Sequence, residues 1–137
     1  MSNLNETAKG IYRLIVMWAA SAMNTLFGGT DGIFLTLIIF MSIDYITGVC
    51  AAIVARRVSS RIGARGLAKK MGVLCVVAIA TLIEKNIIDT TALRTAVILY
   101  YISNEGISIF ENITRMGVPV PKKLKELLSH LSDGNLQ

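Results

Sequence analysis

The sequence predicts an all-α integral membrane protein: helical hairpins with four transmembrane helices, three being the alternative, and a short C-terminal amphipathic helix. Of the 137 residues 53% are hydrophobic and 17% charged, and the mean hydropathy is +0.60, whereas soluble domains carry about 25% charged residues. Apolar runs close to the length needed to cross a bilayer recur along the chain. Positive charge gathers in one interior segment and near the C-terminus, the pattern of loops held on the cytoplasmic side. No strand-like alternation, internal repeat or low-complexity tract appears, so residues 1–137 read as one membrane-embedded domain.

Residues 1–10 are polar. Lys9 and Arg13 precede an apolar stretch reaching Ala20–Ala22, but the uninterrupted run Leu14–Ala20 is short and Glu6 stands in the leader, which argues against a cleaved signal. The first span is expected at about 11–27, interrupted by Arg13, Ser21 and Asn24 and closed by the polar turn Gly28–Gly32. The second, 33–55, is the clearest, with one charge, Asp44, near its middle. Its later half carries Thr47, Gly48, Ala51, Ala52 and Ala55; the Gly48/Ala52 and Ala51/Ala55 pairs have the spacing that lets helix backbones approach in lipid.

Residues 56–70 contain six basic residues, Arg56, Arg57, Arg61, Arg65, Lys69 and Lys70, and no acid. This segment is expected to be a cytoplasmic loop facing anionic lipid headgroups, with Gly63 and Gly66 interrupting any helix. A third span at 71–88 and a fourth at 92–110 are joined by Asp89–Thr91 and read as an antiparallel hairpin. Pro119 and Pro121 stop the last span. Over 119–132, Leu124, Leu127, Leu128 and Leu131 then recur at amphipathic helical spacing beside Lys122, Lys123 and Lys125. Such a helix lies on a membrane surface or against a partner. The topology is multi-pass, with a cytoplasmic C-terminus.

The fourth run raises a question of its own, because Asn104, Glu105, Glu111 and Asn112 stand in an apolar neighbourhood. At 100° per residue, Tyr101, Asn104, Glu105, Ser108, Glu111, Asn112 and Arg115 all fall within one arc of about 120°. A charge at the bilayer centre costs roughly 2.5–3.5 kcal/mol, so such an arc turns to a bundle interior, a water-filled cavity or the headgroups. Two readings follow: a static bundle, the arc bonded to Asp44 or Thr47, or copies assembled around a shared lumen. Asp44 itself reads as a buried polar group paired with a neighbouring helix.

Catalysis is not expected: no His/Cys/Asp cluster, nucleophile elbow or phosphate-cradling loop occurs, and no cofactor or metal is implied. Cys50 and Cys75 lie within apolar runs and read as small buried hydrophobes, and His130 as a solvated side chain. The net charge of +5 fits the loops of a membrane protein better than a nucleic-acid surface.

Two blocks, Asp44–Lys70 and Asn104–Leu128, resemble the bacteriophage holin family, which also includes clostridial toxin-secretion holins. Carrying the likeness are Asp44, Thr47, Gly48, Ser60, Gly63, Gly66 and Lys70, then Glu105, Ser108, Glu111, Asn112, Gly117, Pro119 and Pro121. The resemblance implies a homo-oligomer in the bacterial cytoplasmic membrane that permeabilises it, letting a phage endolysin or a toxin out and triggering lysis. It favours a lumen-lining or subunit-contact role for the polar arc. The competing readings are a small transporter using Asp44 and Glu105 as proton-linked carboxylates, and a non-lethal antiholin or membrane scaffold.

Overall fold

The computed structural model describes residues 2–88 and 92–132. Five helices follow one another: α1 (Ser2–Phe27), α2 (Gly32–Val54), α3 (Ser60–Asn86), α4 (Leu93–Arg115) and α5 (Lys122–Ser132). No strand occurs among the described residues. The turn expected at Asp89–Thr91 lies outside them.

The breaks between helices have local causes. Gly28 and Gly29 adopt φ values of +73° and +105°, a region that costs other residues strain, so α1 ends there. Asp31 then starts α2 by accepting a hydrogen bond from the Phe34 amide at 3.1 Å. Arg56, at φ 52°, turns the chain out of α2. Gly117, at φ +90°, and the prolines after it end α4.

Two helices extend beyond the sequence expectation. Helix α1 begins at Ser2 rather than near residue 11. Helix α3 begins at Ser60 and runs without interruption through Gly63 and Gly66, so most of the expected loop 56–70 is helical. Each glycine costs about 1 kcal/mol relative to Ala in a helix, too little to break one that tertiary contacts support. At Gly63 the missing side chain leaves room for Tyr45 of α2: a Cβ there would stand 3.4 Å from the Tyr45 hydroxyl.

Helices α2, α3 and α4 form the centre, with Phe34, Leu37, Met41, Val77, Ile98 and Ile102 as its buried cluster. Around it the apolar surface faces outward. Helices α2 and α3 are long and apolar enough to cross a membrane, with best windows of mean hydropathy 2.2 and 1.9, yet only 17% and 22% of those windows is buried. A core helix of a soluble protein would be mostly covered, and exposed apolar area on this scale marks contact with lipid or a partner. Helix α1 packs against α3 and leaves Leu14, Met17 and Trp18 exposed. Cys50 and Cys75 are exposed free cysteines, not the buried hydrophobes expected.

Helix α5 folds back along α4 rather than standing apart from the bundle. Leu128 is buried over Gly106, where an added Cβ would meet Leu128 Cδ1 at 2.5 Å and Phe40 Cε1 at 3.2 Å. Leu124 and Leu127 remain exposed, and the side chain of Leu131 lies outside those described. Gly106→Val should therefore expel Leu128 at a cost of about 1–3 kcal/mol. The expected result is faster tryptic cleavage at Lys122–Lys125 in detergent, with the helical content of the remaining chain retained.

Candidate functional site: an ion network between three helices

Asp44, Lys70 and Glu105 are built at matched depth. Each stands ten residues from the end of its helix, measured from Val54, Ser60 and Arg115. At 1.5 Å per residue that is about 15 Å into the bundle from one end. The ammonium of Lys70 bonds Asp44 Oδ2 at 2.8 Å and also Glu105 Oε2. Its side chain is 11% exposed, against 16% for Asp44 and 12% for Glu105. Asn112 completes the set by donating Nδ2 to Asp44 Oδ1 at 3.1 Å and to Thr47 Oγ1 at 3.3 Å. Gly48 lies beside this amide, where a Cβ would meet it at 3.5 Å, an ordinary van der Waals contact.

The polar arc of α4 is thus divided. One edge, Glu105 and Asn112, turns inward to the network. Asn104, Glu111 and Arg115 are exposed on the other edge, and Tyr101 and Ser108 are half-buried between them. Arg115 and Glu111 approach to 3.8 Å, a surface pair of little energetic weight. Of the small residues in α2, Ala51 is buried, Gly48 and Ala52 are half-buried and Ala55 is exposed. In the basic segment Arg56, Arg57, Arg61, Arg65 and Lys69 are exposed, and Lys70 alone enters the core.

Beside the network, α2, the first half of α3 and α4 enclose an open cleft of about 870 Å³. Its floor includes Asp44, Glu105 and Lys70, and its rim Arg57, Arg65, Lys69 and Arg115. Ala52, Val58 and Ile62 contribute an apolar wall.

A second ionic assembly, not anticipated from the sequence, holds the opposite end. Arg94 is 7% exposed and grips Asp31 with both terminal nitrogens, at 2.7 and 3.0 Å. Its Nε donates to the Phe27 carbonyl at 2.6 Å. Lys85 adds bonds to the carbonyls of Asn24 and Thr25 at 3.0 and 3.2 Å. Arg94 and Lys85 satisfy the Phe27 and Thr25 carbonyls at the end of α1, Lys85 adds a second donor at Asn24 beside the Gly28 amide, and both cations oppose the helix dipole. Glu84 accepts the Arg94 amide at 2.8 Å, doing the corresponding service for the start of α4. Gly28 is fixed twice over, by its φ and by Arg94 Nε, which would stand 2.8 Å from a Cβ.

Sequence reasoning found Asp44, Glu105 and Asn112 but assigned Lys70 to the lipid-facing loop. The signal lay in the equal spacing of Asp44, Lys70 and Glu105 from the basic ends of their helices, legible once α3 is extended back to Ser60. Removing one partner of a buried ion pair leaves an uncompensated charge and costs about 3–5 kcal/mol. Lys70→Met should destabilise the protein on that scale in detergent, and adding Glu105→Leu should restore part of the loss, because the two carboxylates no longer face each other. Thermal unfolding of both single variants and the double variant measures the coupling.

At the other end, hydrogen bonding to Arg94 holds the Asp31 carboxyl below its ordinary value of 3.8, against a smaller opposing effect of burial. Because the folded value is the lower one, the clamp's contribution is complete above the ordinary value and lost as pH falls through the depressed one. Asp31→Asn should remove this part of the acid dependence of the melting temperature, while at neutral pH it lowers the melting temperature.

Residues 21–133 match the bacteriophage holin family. The chain is 37% identical over 123 residues to an uncharacterized 14.9 kDa protein of Clostridium perfringens, covering 86% of this chain and 93% of the relative. An uncharacterized protein of Listeria monocytogenes is 43% identical over 103 residues, 75% of this chain and 74% of the relative. A protein of Bacillus phage phi105 named as a probable holin is 36% identical over 113 residues, 82% of each chain. No solved structure matches. The likeness spans the helices that supply Asp44, Lys70, Glu105 and Asn112, and the chain belongs to the bacteriophage holin family.

Proposed function

We propose that this protein is a holin that accumulates in the bacterial cytoplasmic membrane, self-associates and permeabilises it, so that an endolysin or a toxin crosses and the cell lyses. Family membership supports the class of activity. The observation that carries the mechanism is the division of the α4 arc. Its inward edge is satisfied inside one copy by Lys70 and Asp44, so a single copy hides its most costly polar groups from lipid. Its outward edge, Asn104 and Glu111 with Arg115, is left for a neighbouring copy or for water.

In this reading α1 to α4 all cross the membrane, with the basic residues from Arg56 to Arg65 at the cytoplasmic face and α5 entering the bundle from that side along α4. The arrangement of charge supports that orientation: the Arg94 and Lys85 clamp occupies one end and the arginine-rich start of α3 the other. Isolated copies pay to keep Asn104 and Glu111 near lipid, and the cost disappears when copies bring these edges together around water. Association then depends on concentration, which accounts for a lag before permeabilisation.

The experiment is inducible expression in a bacterium, following membrane potential by dye and release of a cytosolic fluorescent protein from osmotically supported, wall-stripped cells. The wild type should depolarise abruptly after a lag and release the protein. Asn104→Leu with Glu111→Leu should reach the membrane at wild-type level yet delay release severalfold or abolish it. Wild-type timing in that variant would remove the outward edge from the mechanism. Expression without depolarisation would favour the antiholin or scaffold reading.

A further inference from the structure

The cleft at the basic end stays open beside the ion network. We propose that it binds one anionic phospholipid, with the phosphodiester between Arg57, Arg65 and Lys69 and an acyl chain along the apolar wall of α2 and the link that follows it. The proposal rests on the membrane orientation above, which puts this end at a headgroup layer.

Three observations carry it. First, Arg57, Arg65 and Lys69 line the cleft, and their side chains have no hydrogen-bond or ion-pair partner among the described residues. Lys70, Arg94 and Lys85, by contrast, are paired within the chain: Lys70 with two carboxylates, Arg94 with Asp31, Lys85 with the end of α1. Arg65 and Lys69 stand one turn apart on α3, a repulsive pair unless an anion lies between them. Second, the acids on the floor do not compete for these cations, because Asp44 is engaged by Lys70 and Asn112, and Glu105 by Lys70. Third, Val49, Ala52, Val58 and Ile62 line the cleft as an apolar wall, and Ile53 and Val54, next after Ala52 in α2, are exposed. A soluble phosphate has no use for such a wall; a diacyl phosphodiester fits both halves. The volume, about 870 Å³, lies within the usual range for small-molecule sites of about 300–1,000 Å³.

The sequence supplies a charge-matched control, since Arg56 and Arg61 belong to the same basic segment and do not line the cleft. The test compares R57Q/R65Q with R56Q/R61Q in the full chain, purified in micelles containing equal phosphatidylglycerol and phosphatidylcholine, with retained lipid counted by mass spectrometry. Wild type and R56Q/R61Q should retain phosphatidylglycerol in preference, and R57Q/R65Q should retain about tenfold less. Equal losses in the two pairs would reduce the effect to general attraction between a basic surface and anionic lipid, and overturn the site. So would no loss in either, or displacement of the lipid by inorganic phosphate at matched concentration. Retention is read on purified protein without any permeabilisation step, so its failure is separate from failure of the holin reading, which the depolarisation assay decides.

Discussion

Lys70 lies about 15 Å along its helix from the basic end, and its ammonium finds its counter-charges on α2 and α4. Much of the remaining architecture follows from that meeting. An ammonium at such depth needs acceptors at the same level, and this aligns Asp44, Lys70 and Glu105 in register. The two carboxylates outnumber the one cation, so their other oxygens need donors, and Asn112 supplies one to Asp44. Hydrophobic contact alone would leave three apolar helices free to slide and rotate; a hydrogen-bonded charge pair does not.

The opposite end is held by different means. There the problem is helix ends rather than buried charge, and Arg94 and Lys85 supply donors to the last carbonyls of α1 while Asp31 both caps α2 and receives the guanidinium. Helix α1 has little else to hold it, since most of its length is exposed. The bundle is thus fastened at two levels, with a small apolar cluster between them and apolar surface outward. That arrangement suits a chain that lies in a membrane.

The division of the α4 arc links the fold to the proposed activity. Static pairing with Asp44 and Thr47 and exposure to a lumen compete as explanations when the arc is treated as one surface. The structure assigns the first to one edge of the arc and leaves the second open for the other, because an arc of about 120° is wider than the strip a single neighbouring helix covers. A polar face half satisfied within each copy fits the proposed activity, in which the chain is tolerated in the membrane before it permeabilises it.

From composition, run lengths and charge bias alone, the sequence determined the all-helical class, the helical segments to within several residues except at the starts of α1 and α3, the basic end and the polar arc, because these depend on local periodicity and on the cost of charge in lipid. Its two blocks of distinctive residues also pointed to the family. What it could not determine was which partner each charge takes. Lys70 looked like the last residue of a loop because Gly63 and Gly66 disfavour helix locally, and only the packing of α3 against Tyr45 and the pull of two carboxylates carry the helix through them. Arg94 and Asp31, 63 residues apart, and Leu128 over Gly106 are likewise decided by tertiary structure. Their complementarity exists only once the helices are side by side, and nothing in the local sequence of either partner encodes it.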